Sequence, residues 1–189
     1  EGLDKSWYES GNPMHERFYK DKKIDGPWNE WNEDNTLKKA ANYKMGIKHG
    51  PQKEWYNNGM IKHESNYIDG KVNGVDILYF ESGDMQAEVY MQDNLKHGTL
   101  KLWQPNGNMI MSFNYIRNIP DGLCQNWYPN GQLKSALFFK DGFSLEQCGL
   151  VRFCRGGNAS NYSQACNPCQ SKEVHTCHYT KSLLLTQGQ

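Results

Sequence analysis

Trp55-Tyr56-Asn57-Asn58-Gly59-Met60, then Ile61 to Ile68, then Asp69-Gly70-Lys71-Val72-Asn73-Gly74, is the stretch that decides the fold. Asn-Asn-Gly and Asp-Gly supply the positive φ that tight hairpin turns require. The stretches between them are rich in aromatic and β-branched residues and too short for helices. One such unit is two antiparallel strands and two turns.

The unit recurs every 24 residues, in Trp7, Trp31, Trp55, Tyr79, Trp103 and Trp127. Gly11, Asn35, Gly59, Gly83, Gly107 and Gly131 keep step with it, as do Gly26, Gly50, Gly74, Gly98 and Gly122. A fixed period in this range marks a repeat architecture, in which each unit buries its apolar face only against its neighbours. The expectation is an all-β, elongated antiparallel meander of about twelve short strands. At the spacing of paired strands the six repeats would extend roughly 58 Å. Such chains are binding surfaces or scaffolds more often than enzymes.

Equivalent positions tell the faces apart. Arg17, Ala41, Ser65, Val89, Phe113 and Leu137 form one column, and Tyr19, Tyr43, Tyr67, Met91, Tyr115 and Phe139 stand two residues further on. Between them runs Glu16, Ala40, Glu64, Glu88, Ser112 and Ala136. Period-two alternation gives one packed and one wet face. The contrast sharpens toward the C-terminus, so the best-buried part of the sheet is expected there.

Apolar residues make up only 37% of the chain, while aromatics reach 13%. A thin sheet stapled by large rings fits that balance better than a thick core. Net charge is zero, with −3 over residues 1–149 and +3 over the remainder. No basic stripe follows one strand phase, so the footprint of a nucleic-acid binder is missing. No apolar run approaches membrane-spanning length. The chain starts at Glu1 without methionine, which suggests a removed secretion signal or a trimmed terminus.

Six cysteines, Cys124, Cys148, Cys154, Cys166, Cys169 and Cys177, crowd toward the C-terminus, where the period ends. The expected organisation is a repeat ribbon over 1–147 and a Cys-rich cap over 148–189. All six cysteines are disulfide candidates, which implies an oxidising compartment, periplasmic or secreted. Zinc is the rival, because Cys166-Asn167-Pro168-Cys169 is followed by His175, Cys177 and His178. Cys124 and Cys148 are one period apart, roughly 9.6 Å on a regular ribbon, beyond disulfide reach. The Asn158 and Asn161 glycosylation triplets are of a kind frequent by chance.

The histidines offer no catalytic motif: His49 and His97 sit in turn positions, and His15 and His63 in another strand phase. The aromatic column is read as structural. Partner contact is expected instead from Tyr56, Phe80, Trp103 and Tyr128. No cofactor or metal is expected.

Trp55-Tyr56-Asn57-Asn58-Gly59-Met60-Ile61-Lys62 and Trp127-Tyr128-Pro129-Asn130-Gly131-Gln132-Leu133-Lys134 resemble the variant MORN repeat of bacteria. Tyr67-Ile68-Asp69-Gly70-Lys71-Val72-Asn73-Gly74 supplies the second half of that motif. The resemblance covers residues 6–145 and implies an antitoxin-like role. Some relatives are periplasmic immunity proteins that neutralise effectors, including phospholipases, delivered by type VI secretion. The implied function is an immunity protein that sterically blocks a cognate toxin effector. An envelope scaffold or adaptor, joining proteins or touching lipid headgroups, is the alternative.

Overall fold

The computed structural model describes residues 1–145. The expected cap, and with it Cys148, Cys154, Cys166, Cys169 and Cys177, lies outside the described residues. Within Glu1–Ser144 the chain forms one antiparallel sheet of 14 strands. They are β1 (Gly2–Trp7), β2 (Pro13–Lys20), β3 (Lys23–Trp31), β4 (Leu37–Lys44), β5 (Ile47–Trp55), β6 (Ile61–Ile68), β7 (Lys71–Val72) and β8 (Gly74–Tyr79). They continue as β9 (Met85–Gln92), β10 (Leu95–Trp103), β11 (Met109–Ile116), β12 (Ile119–Trp127), β13 (Leu133–Lys140) and β14 (Phe143–Ser144). Apart from β7 and β8, which both pair with β6, each strand pairs with its sequence neighbour, so the meander is as expected. The count exceeds twelve because one repeat's first strand is split at Asn73 into β7 and β8, and because β14 opens a further hairpin.

Two turns alternate along the sheet. In the tight one, both central residues take positive φ, as with Asp69 (48°) and Gly70 (82°). That is the turn whose twist matches antiparallel strands. The fold imposes it even on Met45 (53°) and Arg117 (52°), side chains with no preference for it. In the wider turn, Gly59 N–H donates to Tyr56 C=O at 3.0 Å and Tyr56 N–H to Met60 C=O at 2.8 Å. Turns of neighbouring repeats are tied together. Gly70 N–H donates to Lys48 C=O and Gly142 N–H to Pro120 C=O, both at 2.8 Å.

Burial follows the logic of a single layer. Ala41, Ser65, Val89 and Cys124 are buried, together with Gln52. They are mostly the small members of one cross-strand row, overhung by longer neighbours. Phe113 and Leu137 are half-buried, and among the described residues no second layer closes over them. The expectation of best burial at the C-terminal end is therefore corrected: buried residues run from β4 to β12.

Candidate functional site

Residues directly opposed in antiparallel strands share a face, so the register builds both surfaces. One row runs Asp4, Arg17, Trp28, Ala41, Gln52 and Ser65 across β1 to β6. It resumes beyond the β6–β8 seam as Asp76, Val89, Leu100, Phe113, Cys124 and Leu137. The row beside it is Ser6, His15, Glu30, Lys39, Glu54 and His63, then Leu78, Ala87, Leu102, Met111, Asn126 and Ser135. This face is mostly polar through the third repeat and mostly apolar from the fourth, where Asp76, Asn126 and Ser135 are the polar members of the two rows. Phe113 and Phe139 approach to 6.3 Å between ring centroids within the apolar half.

The opposite face carries cross-strand ion pairs beside exposed apolar side chains, Leu3 with Phe18 and Val75 with Tyr90. Lys5–Glu16 (3.0 Å), Lys53–Glu64 (2.6 Å) and Lys101–Glu88 (2.8 Å) each join directly opposed residues. The Tyr79 hydroxyl adds a hydrogen bond to Glu64 at 3.0 Å. Charges satisfied in this way leave little net field to attract a charged partner.

The polar half of the first face holds a network centred on the third repeat. Lys39 reaches Glu54 at 2.9 Å, Gln52 donates to Glu54 at 3.1 Å, and His63 meets Asp76 at 2.6 Å. Burial acts to raise the Glu54 pKa, but the Lys39 hydrogen bond and charge outweigh it, and the carboxyl sits below its ordinary value. The Asp76 hydrogen bond, against some desolvation, raises His63 above its ordinary value.

A serine, a histidine and an aspartate also meet, which chain spacing concealed. Ser6 Oγ lies 2.7 Å from His15 Nδ1, and Asp4 Oδ2 lies 3.2 Å from His15 Nε2. Arg17 Nη2 also contacts Nε2. Arg17 Nη2 also pairs with Asp4 Oδ2 at 3.3 Å, so the carboxylate that meets the imidazole is shared with a guanidinium. This cluster is a structural polar knot.

Of the four expected partner residues, Tyr56, Phe80 and Tyr128 occupy equivalent places opening the wide turn, along one edge of the sheet. Tyr56 is half-buried and its hydroxyl donates to Tyr79 C=O at 2.8 Å, so its tip serves the repeat-to-repeat contact. Tyr128 is 47% exposed, with Lys134 Nζ 5.7 Å from its ring centroid. Trp103 ends β10 opposite Met109 and is half-buried. Only part of the larger apolar area, Val89, Phe113 and Leu137, belongs to the columns expected to form the packed face; Leu78, Leu100 and Leu102 join it through the register. Among the described residues no second sheet packs on it.

Cys124 is 1% exposed and directly opposed to Phe113 and Leu137 on the sheet's apolar half. The other five disulfide candidates lie outside the described residues. Among the described residues no three His, Cys, Asp or Glu side chains converge as metal ligands would.

No curated protein matches the chain. The family model described as the MORN repeat variant matches residues 1–21, 48–69 and 120–141. Each match spans a strand ending in the repeat tryptophan, the wide turn and the following strand, and the second and third begin three periods apart. These three segments are similar to the MORN repeat variant, in step with the 24-residue period and with the strand–turn–strand units of the sheet.

Proposed function

We propose that this protein is a non-catalytic binder that covers a toxic effector protein, a phospholipase being the kind the resemblance implies, and denies substrate access to it. MORN repeats are binding repeats, which supports the broader half of this reading. The observation that carries it is the mostly apolar half of the first face, Leu78 through Leu137, on a sheet whose other face carries cross-strand ion pairs. A rigid, hydrogen-bonded sheet loses little conformational entropy on docking, and a continuous apolar patch supplies the desolvation that drives tight complexes. The periplasm or the exterior is the compartment this reading requires.

The test is to co-express the protein with the toxin encoded beside it. Restored growth, with a one-to-one complex stable through gel filtration, supports the reading. A protein that neither binds that toxin nor lowers its activity is an adaptor instead.

A further inference from the structure

One groove, of about 480 Å³, opens where the second and third repeats meet the wide turns. Its walls include Glu30, Lys38, Lys39 and Glu54, with the aromatic pair Trp55 and Tyr56. The volume is in the range of small-ligand sites. Part of this wall varies between repeats: the positions of Glu30 and Glu54 become Leu78 and Leu102 further on, and that of Lys39 becomes His63, then Ala87 and Met111. Lys38 recurs as Lys62 and Lys134. The two glutamates and Lys39 are thus not demanded by the sheet.

We propose that this groove binds a neutral sugar unit of a glycan chain. Lys38 and Glu30 lie 2.7 Å apart, and Lys39 and Glu54 2.9 Å apart. Each pair presents an ammonium donor beside a carboxylate acceptor. A hydroxyl both donates and accepts, so neighbouring hydroxyls of a pyranose match such a pair, and the groove offers two. The flat apolar side of the ring suits an aromatic platform, which Trp55 and Tyr56 supply. Charge selects the same class. Three carboxylates (Glu30, Glu54, Glu81) and three ammoniums (Lys38, Lys39, Lys62) line the groove, so a charged ligand gains no net attraction. A wholly apolar ligand would strip water from these ions without replacing it. A neutral polyhydroxy ligand with an apolar face remains.

This inference does not rest on effector binding, and purified protein alone tests it. The full chain is titrated calorimetrically with cellotetraose, chitotetraose and maltotetraose, and with a heparin tetrasaccharide as the charged control. Saturable binding of at least one neutral tetrasaccharide at millimolar concentration or below is expected, with heparin weaker. The double change Glu30→Ala and Lys38→Ala should weaken binding about tenfold or more, the equivalent of ~1.4 kcal/mol. Lys53→Ala with Glu64→Ala, on the opposite face, should leave it unchanged. Should the first variant lose its fold, the Trp55 indole N–H resonance of the unaltered protein locates the site by shifting on titration. No saturable binding of any of the three, binding indifferent to the Glu30 and Lys38 changes in a folded variant, tighter binding of heparin, or an unmoved Trp55 signal would overturn the proposal.

Discussion

Gly122 on β12 stands directly opposite Phe139 on β13, with φ at 104°. The same pairing sets Gly26 against Tyr43, Gly50 against Tyr67 and Gly98 against Tyr115. On its other side β12 places Asp121, Gly122 and Leu123 against Asn114 alone, a bulge that needs a residue free of the usual φ limits. A Cβ on Gly122 would also lie 3.3 Å from Asn114 Cβ, whose side chain donates to Leu123 C=O at 2.8 Å. Gly122→Ala should therefore cost about 1–3 kcal/mol. Gly2→Ala, with open space and no positive φ, should stay within about 0.5 kcal/mol. Chemical denaturation of the two variants checks the contrast.

The tryptophan column offers a graded test. Trp103 and Trp127 are half-buried, whereas Trp7 is 59% exposed. Replacement by alanine at Trp103 or Trp127 should cost about 2 kcal/mol, below the ~3–5 kcal/mol of a fully enclosed ring. Trp7→Ala should cost visibly less. Equal losses at all three would mean that these rings are held by something other than area removed from water.

The period, the turn chemistry and the alternation of faces were legible because each depends on spacing along the chain. Asp69-Gly70 and Asn58-Gly59 announce their turns locally. The Ser6–His15–Asp4 knot and the His63–Asp76 pair were not legible, because strand register rather than chain spacing joins them. The burial of Cys124 was not legible for a related reason. Counting cysteines groups it with the tail, while its column position puts it between Phe113 and Leu137. Val89, Phe113 and Leu137 were read as part of a packed face because such a column looks the same whether or not another layer covers it.

Cys124 should behave as a reporter of unfolding. Burial pushes its thiol pKa up, so both access and thiolate fraction are low in the folded sheet. Maleimide labelling at Cys124, read by peptide mass, should be negligible in native buffer and complete in denaturant. Rapid native labelling would contradict the burial described.

Stability should depend on pH through His63. Its pKa is raised in the folded protein by the Asp76 hydrogen bond, so the pair's contribution is fully present below the unfolded histidine value of 6.5. That contribution is lost as pH rises through the higher folded value. Glu54 and Glu64 have lowered pKa values and act in the other direction, their contributions being lost as pH falls below 4.5. Melting temperature should decline from mildly acidic to mildly alkaline buffer, and His63→Gln should flatten that decline. An unchanged slope in the variant would remove His63 from the account.

The most direct measurement of the central claim is inhibition of the neighbouring toxin by Leu78→Glu. Leu78 is 40% exposed on the apolar half of the first face, so the change should leave the sheet folded. The unaltered protein should abolish the toxin's activity at one-to-one stoichiometry. The variant, shown by circular dichroism to be folded, should need at least about tenfold more protein, a loss of ~1.4 kcal/mol at the interface. Full inhibition by the folded variant at one-to-one stoichiometry would contradict the assignment of that face, and absence of inhibition by the unaltered protein would contradict the function itself.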